Sequence, residues 1–425
     1  MRIRRLFSFM KNRIMSVVVI LILCGLIDYY LFQAVLAVSR NWSPLWKAVI
    51  RYGFWVPTAI SFGALLWYNL SDPYKIDRDV WSWLRTFIFG TYLSKFFGVI
   101  FVLIDDLQRG FRWIISLFYR GSSESLPGET ISRSEFLTKA ALVASAVPFG
   151  AMTYGIILGA HDYRVRRVTV ALPNLPRSFD GMRIGHISDI HSGSFWNKTA
   201  VKGGVEMMLN EKPDVIFFTG DLVNDRADEV KDYVPIFEKL KAPLGVYSVT
   251  GNHDYGDYTN WESPEAKREN FKNLVQAHRE LGYKILMNEN HIIEQGGEKI
   301  AILGVENWGA GRFSKHGNID AAYRGTETAA VKLLLSHDPS HWDAQIRPSF
   351  PDIDMMFAGH THGFQFGVEI GGVKWSPSQY VYKQWAGLYN EGDQYLYVNR
   401  GYGYLGYPGR IGMPPELTII ELKRA

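Results

Sequence analysis

Four long apolar runs crowd the first 160 residues, and they constrain this chain more than any other feature. The first covers residues 14–38 behind a basic start of Arg2, Arg4, Arg5, Lys11 and Arg13. The others cover about residues 48–70, 86–104 and 140–160. Roughly 20 apolar residues cross a bilayer core, so each run is a candidate transmembrane helix. Asp28 stands near the middle of the first run. A carboxylate is costly against lipid, so this helix face is expected to turn toward other helices. Trp42, Trp46, Trp67, Trp81, Trp83 and Trp113 gather near the run ends, where amphipathic rings favour the membrane interface. The stretch Phe111–Tyr119 is too short to cross and reads as a separate interfacial helix. The competing reading, four buried helices of a soluble protein, fits poorly with such runs placed ahead of any polar domain. The chain is therefore expected in a cell membrane, multi-pass, with the lipid bilayer as its first partner. Just before the fourth run, Ser132-Arg133-Ser134-Glu135-Phe136-Leu137 looks like a twin-arginine export signal with Ser134 in place of the second arginine. The basic residues of the competing loops balance, so charge alone does not assign the side of the membrane.

Residues 161–425 read as a second domain, in which short apolar runs alternate with amphipathic stretches at residues 199–210, 227–240 and 266–281. The single cysteine, Cys24, lies in the first apolar run, which excludes a disulfide framework and a cysteine metal site. Net charge is only +4, with no basic stripe, so long nucleic acids are not expected as partners.

Chemistry concentrates where the apolar runs of this domain end. Residues 183–188 lead into Asp189-Ile190-His191, and residues 215–219 into Gly220-Asp221-Leu222-Val223-Asn224. Residues 246–250 lead into Gly251-Asn252-His253-Asp254, and residues 331–335 into Ser336-His337-Asp338. Residues 355–358 lead into Gly359-His360-Thr361-His362. Ligands of open α/β sheets bind beyond the carboxyl ends of strands, so the five loops should meet on one rim. All five offer oxygen or nitrogen donors and none offers sulfur, a set suited to zinc, manganese, iron or, less well, magnesium. Residues two apart in an extended segment point to one side, which explains the D-x-H and H-x-H spacings. Glycines 220, 251 and 359 let the backbone approach a metal closely.

In this order, D-x-H, G-D-x-x-N, G-N-H-D, a lone histidine and G-H-x-H resemble the motif series of the calcineurin-like metallophosphoesterases, over roughly residues 180–422. The chain looks most similar to the bacterial membrane-tethered branch. The resemblance implies an α/β fold, a four-layer αββα sandwich, preceded here by the helical transmembrane region. It also implies two divalent metal ions, with Mn, Fe or Zn the candidates. One would be held by Asp189, His191, Asp221 and His362, the other by Asp221, Asn252, His337 and His360, with Asp221 bridging. The implied reaction is hydrolysis of a phosphomonoester or phosphodiester by a hydroxide lying between the metals. His253 would be the catalytic residue, either protonating the leaving group or stabilising the transition state, with Asp254 a candidate orienting partner. Asn224 stands where many relatives have aspartate and is not an expected ligand.

Membrane attachment suggests a lipid-linked or envelope phosphoester as substrate; no substrate-binding residue is named by the sequence. Two other readings remain: a membrane sensor or scaffold with little turnover, and a tethered nucleotide phosphodiesterase. Arg410 is either a phosphate contact or a structural link. Residues 255–270 are either a lid or a solvated loop, and the aromatic tail 375–407, Tyr382 included, either edge strands or a wall beside the site that rests on lipid or grips an apolar tail. His161, His186, His278, His291, His316 and His341 carry no motif and are expected to pack rather than ligate.

Overall fold

The computed structural model describes residues 2–71, 77–118 and 133–425. The chain divides into two compact units, Met1–Thr153 and Tyr154–Ala425.

The first unit is helical: α1 (Arg2–Val38), α2 (Pro44–Leu70), α3 (Arg78–Phe118) and most of α4 (Arg133–Ile157). Among the described residues these four helices are long and apolar enough to cross a membrane, with candidate spans 15–41, 44–70, 80–115 and 136–161. Each expected apolar run falls in one helix, the fourth finishing in a 3-10 turn at Gly159–His161. Asp28 is fully buried. Its carboxylate accepts from Lys95 Nζ at 2.5 Å and from the Tyr92 hydroxyl at 2.9 Å, and Lys95 also donates to Thr58 Oγ1 at 2.9 Å. One ion pair therefore ties α1, α2 and α3 where a lone charge would be costly. Gly98 lets α3 and α4 meet, since a Cβ there would lie 2.0 Å from Ser145 Oγ.

The expected interfacial helix at Phe111–Tyr119 is not separate: α3 runs unbroken to Phe118, and Tyr119 lies outside the described residues. Its charged middle stays helical because Asp105 and Arg109 pair one turn apart and Asp106 accepts from Tyr30. Of the twin-arginine-like segment, Ser132 lies outside the described residues and the remainder opens α4.

The second unit holds fourteen strands. They are β1 (Arg164–Leu172), β2 (Arg183–Ile187), β3 (Val215–Phe218), β4 (Val246–Ser248), β5 (Lys284–Ile285), β6 (Glu289–Gln295) and β7 (Glu298–Gly304). There follow β8 (Val331–Leu335), β9 (Met355–Ala358), β10 (Val368–Ile370), β11 (Val373–Trp375), β12 (Gly387–Glu391), β13 (Gln394–Val398) and β14 (Glu416–Arg424). Two six-stranded mixed sheets form, β1-β14-β2-β3-β4-β5 and β12-β13-β9-β8-β7-β6, while β10 and β11 make a separate hairpin. Alternation along β3 shows how the layers arise. Val215 and Phe217 point into the core between the sheets, against Ile302, Leu333 and Phe357. Ile216 and Phe218 point outward, under Val201 and Met208 of α5 (Lys198–Asn210) and Leu274 of the Pro264–Glu280 helix. On the far side, Leu334 and Met356 pack under Ile319, Ala322 and Trp342. Strands covered on both faces read as continuous apolar runs, which is why they are conspicuous in the sequence. The layers are those of the expected αββα sandwich.

The stretch 227–240 is not one helix. A 3-10 segment, Ala227–Tyr233, gives way to a single α-turn at Val234–Phe237. Pro235 cannot donate the hydrogen bond that would join the two.

Candidate metal centre

All five loops leave the carboxyl ends of parallel neighbours: β2, β3 and β4 in one sheet, β8 and β9 in the other. Five of the seven expected ligands sit in left-handed backbone, with φ of 51° at Asp189, 49° at His191, 58° at Asp221, 70° at His360 and 51° at His362. Such conformations cost energy in residues with a Cβ and persist where their surroundings impose them. Two glycines make the carboxylate seats: a Cβ on Gly251 would lie 2.2 Å from Asp221 Oδ1, and one on Gly359 2.2 Å from Asp189 Oδ2.

Among the described residues two clusters have donor atoms within 4.8 Å of one another: Asp189, His191 and His362, and Asp221, His337 and His360. Asp221 Oδ2 links them, 3.5 Å from His191 Nε2 and 3.1 Å from His337 Nε2. The second nitrogen of several rings is committed elsewhere. His191 Nδ1 lies 3.1 Å from Asn224 Oδ1, and His337 Nδ1 lies 2.7 Å from the Thr219 carbonyl. His360 Nε2 lies 2.9 Å from the Tyr382 hydroxyl. Protons on those nitrogens leave lone pairs facing inward, a common second layer around metal histidines.

His191 Nε2 then faces His362 Nε2 at 3.1 Å, with Arg410 Nη2 3.4 Å from the other nitrogen of His362, while His337 Nε2 and His360 Nδ1 face each other as two lone pairs at 3.2 Å. Facing lone pairs at that separation call for positive charge between them. Asn252 Oδ1 is buried without a hydrogen-bond partner, although its amide nitrogen donates to Tyr258 at 2.9 Å. An orphaned carbonyl oxygen beside buried carboxylates and imidazoles fits a hard or borderline cation. The ionisation pattern agrees. Burial alone would raise the Asp221 carboxyl, yet His337, His253 and His191 hold it well below the usual range. Burial likewise opposes charge on His337, but Asp221 prevails and raises that imidazole to about 10. His191 and His360 are driven down by burial, His360 to about 4. Asp221 thus draws a proton onto His337 against the cost of burial.

His253 lies beside the clusters, not in them. Its Nδ1 is 2.7 Å from the Asn224 carbonyl, its backbone N–H donates to Asp221 Oδ1 at 2.9 Å, and its ring packs on Tyr258. Asp254 is not its orienting partner. The fully buried Asp254 carboxylate accepts backbone N–H bonds from Gly251 at 2.8 Å and from Asp221 and Leu222 at 2.9 Å each, clamping two metal loops together. Arg410 is buried and spends its guanidinium on the carbonyls of Arg400, Gly401, Gly403 and Met413, which removes it as a phosphate contact. The stretch 255–270 brings Tyr258 against Asn252 and His253 before the helix begins at Pro264. None of the six histidines without a motif belongs to either cluster. His186, His278 and His341 bond Thr219, Ser248 and Ser336, while His161, His291 and His316 lie against Trp196, Tyr247 and Tyr255. Tyr258 and Tyr382 are site neighbours that no motif marks, although they lie in the candidate lid and the aromatic tail.

Comparison with known proteins meets this geometry. A family profile described as "Calcineurin-like phosphoesterase" matches residues 182–364, and one described as "Probable Calcineurin-like phosphoesterase, transmembrane domain" matches residues 12–160. A zebrafish (Danio rerio) "Transmembrane protein with metallophosphoesterase domain" is 31% identical over 386 residues, 84% of this chain and 82% of that protein. The chain belongs to the calcineurin-like phosphoesterases. Within that family the Bacillus subtilis metallophosphoesterase YkuE is 29% identical over 300 residues, 69% of this chain and 98% of YkuE. The bovine (Bos taurus) transmembrane metallophosphoesterase is 30% identical over 284 residues, 64% of this chain and 60% of that protein. Both halves of the sequence reading thus meet in one family: this is a membrane-associated calcineurin-like phosphoesterase, a hydrolase family, with His/Asp clusters suited to divalent metals.

Proposed function

We propose that the domain spanning residues 161–425 hydrolyses a phosphoester carried by a membrane lipid or another envelope component, using two divalent metal ions. The observation that carries this reading is the pair of clusters joined by the buried Asp221, with Asn252 Oδ1 left without a partner. Asp189, His191, Asp221 and His362 would hold one ion, and Asp221, Asn252, His337 and His360 the other. When bound, two such ions supply charge neutralisation at phosphoryl oxygens and make water acidic enough to yield a nucleophile near neutral pH. The nitrogen and oxygen donors favour Mn, Fe or Zn.

The chain's own residues supply the remainder. Asn224 fixes His191 through its side chain and His253 through its carbonyl. With Nδ1 so engaged, His253 in its protonated form presents Nε2–H, which donates to the leaving oxygen as the P–O bond breaks. Asp221, between the clusters, keeps its negative charge because three histidines surround it. Tyr258 shields His253 from water on one side.

The test is elemental analysis of the purified chain together with hydrolysis of p-nitrophenyl phosphate and bis-p-nitrophenyl phosphate. Two equivalents of a transition metal, with turnover abolished by a chelator, are expected. A chain that takes up no metal would sink the proposal. Full metal loading without turnover on either ester or on phospholipid headgroups would favour the sensor reading.

A further inference from the structure

Between His362 and Tyr382 the chain makes an excursion whose two ends both return to the metal centre. Its tip is the β10–β11 hairpin, turned by Gly371-Gly372 at φ 59° and 85°, the left-handed pair a two-residue turn requires. The register pairs Val368 with Trp375 and Ile370 with Val373, so these four share one face. Glu369 and Lys374 share the other.

The faces are inverted relative to a soluble hairpin. The charged face looks into the domain: Glu369 pairs with Arg166 at 2.5 Å and with Arg400 at 3.3 Å, and Lys374 donates to the Ala386 carbonyl. The apolar face looks out, with Ile370 74% and Val373 72% exposed. Those ion pairs fix which way round the hairpin lies, so the apolar face cannot turn inward without stranding Glu369 beside nothing. A contiguous outward apolar face with a tryptophan at its edge marks a surface whose surroundings are not water.

What covers it follows from its neighbours in the same unit. The last turns of the fourth candidate span, from Tyr154, belong to this unit. The Gly155 carbonyl accepts from Arg410 N at 3.1 Å, and a Cβ on Gly159 would collide with the Arg410 carbonyl. The next residue, Ile411, bridges Phe366 and exchanges backbone hydrogen bonds with Gln365 and Gly367 at 2.8 and 2.9 Å. The hairpin thus follows directly on a segment, 365–367, that is hydrogen-bonded through Arg410 and Ile411 to the end of a membrane helix.

We propose that the outer face of the β10–β11 hairpin inserts into the interfacial layer of the bilayer that anchors the chain. Ile370 and Val373 enter at the tip, with Trp375 at headgroup level. Because the excursion begins at His362 and ends at Tyr382, its insertion sets the height of the centre above the headgroups. The inference concerns a surface and stands whatever ester the centre cleaves.

The full chain supplies its own background for the test, since Cys24 is the single cysteine. In a Cys24→Ser chain, Ile370→Cys and Val373→Cys are each labelled with an environment-sensitive fluorophore and placed in phosphatidylcholine–phosphatidylglycerol nanodiscs. The exposed helix position Glu280→Cys is the aqueous control. At 370 and 373 we expect blue-shifted emission, strong quenching by lipids spin-labelled near the top of the acyl chain, and iodide quenching about fivefold weaker than at 280. Iodide quenching equal to the control overturns the proposal. Protection from iodide without lipid quenching also overturns it, because the face is then covered by protein, a second copy included.

Discussion

The Nδ1 of His253 lies 2.7 Å from the backbone carbonyl of Asn224, whose side-chain oxygen lies 3.1 Å from Nδ1 of His191. One residue therefore orients a ring in a metal cluster and the ring beside it. His253 is held by a main-chain atom, which no substitution at position 224 removes. His253→Ala is expected to retain both metals and lose about 10²–10⁴-fold in rate. Asn252→Ala and His337→Ala should instead lose bound metal together with activity. Elemental analysis beside ester hydrolysis separates the two classes, and metal loss in His253→Ala would overturn the role given to it.

Asp254 serves the backbone and not His253. Its removal leaves the N–H groups of Gly251, Asp221 and Leu222 buried without their acceptor. At about 1–3 kcal/mol for each unsatisfied group, Asp254→Ala should melt several degrees lower and take up metal poorly. A variant with normal melting temperature and metal content but slow turnover would restore the orienting role. Scanning calorimetry with a metal assay decides.

Tyr382 reaches the outer nitrogen of His360, and burial pushes its phenol up to about 12, so it stays protonated and neutral. For His360 Nδ1 to serve as a ligand, Nε2 must carry the proton and the Tyr382 oxygen must accept it. Tyr382→Phe deletes that acceptor and should weaken metal binding about 10-fold or more. Titration against a competing chelator measures this, and an unchanged affinity would remove Tyr382 from the site.

In the helical unit, Asp28→Ala would leave the Lys95 ammonium buried without its carboxylate. Breaking one side of such a pair costs about 3–5 kcal/mol, whereas replacing both sides by apolar residues costs far less. Asp28→Ala is therefore expected to unfold earlier in detergent than the Asp28→Leu/Lys95→Met double variant. Equal melting of the two would show that the pair contributes no coupling.

The sequence by itself determined the membrane helices, the strand runs of the second domain and the place of the candidate site, because each is written locally; the αββα layering was implied by the family resemblance of the loop motifs. A span is a continuous apolar run, a strand covered on both faces is a short one, and Asp189 with His191 or His360 with His362 stand two residues apart in one loop after a strand, in left-handed backbone and not in the extended segment that their spacing suggested. Even the error over Phe111–Tyr119 was local, since a stretch too short to cross by itself is the end of a longer helix that runs to Phe118. What only the tertiary structure decided are contacts between residues far apart in the chain. Asn224 at His253, Tyr382 at His360, Asp254 at the backbone of Asp221 and Arg410 among four carbonyls each join separate loops. The outward apolar face of the hairpin is of the same kind, since Glu369 acquires its direction only from Arg166 and Arg400. Such pairings depend on which loops the two sheets bring to one rim, and residue spacing along the chain carries no record of them.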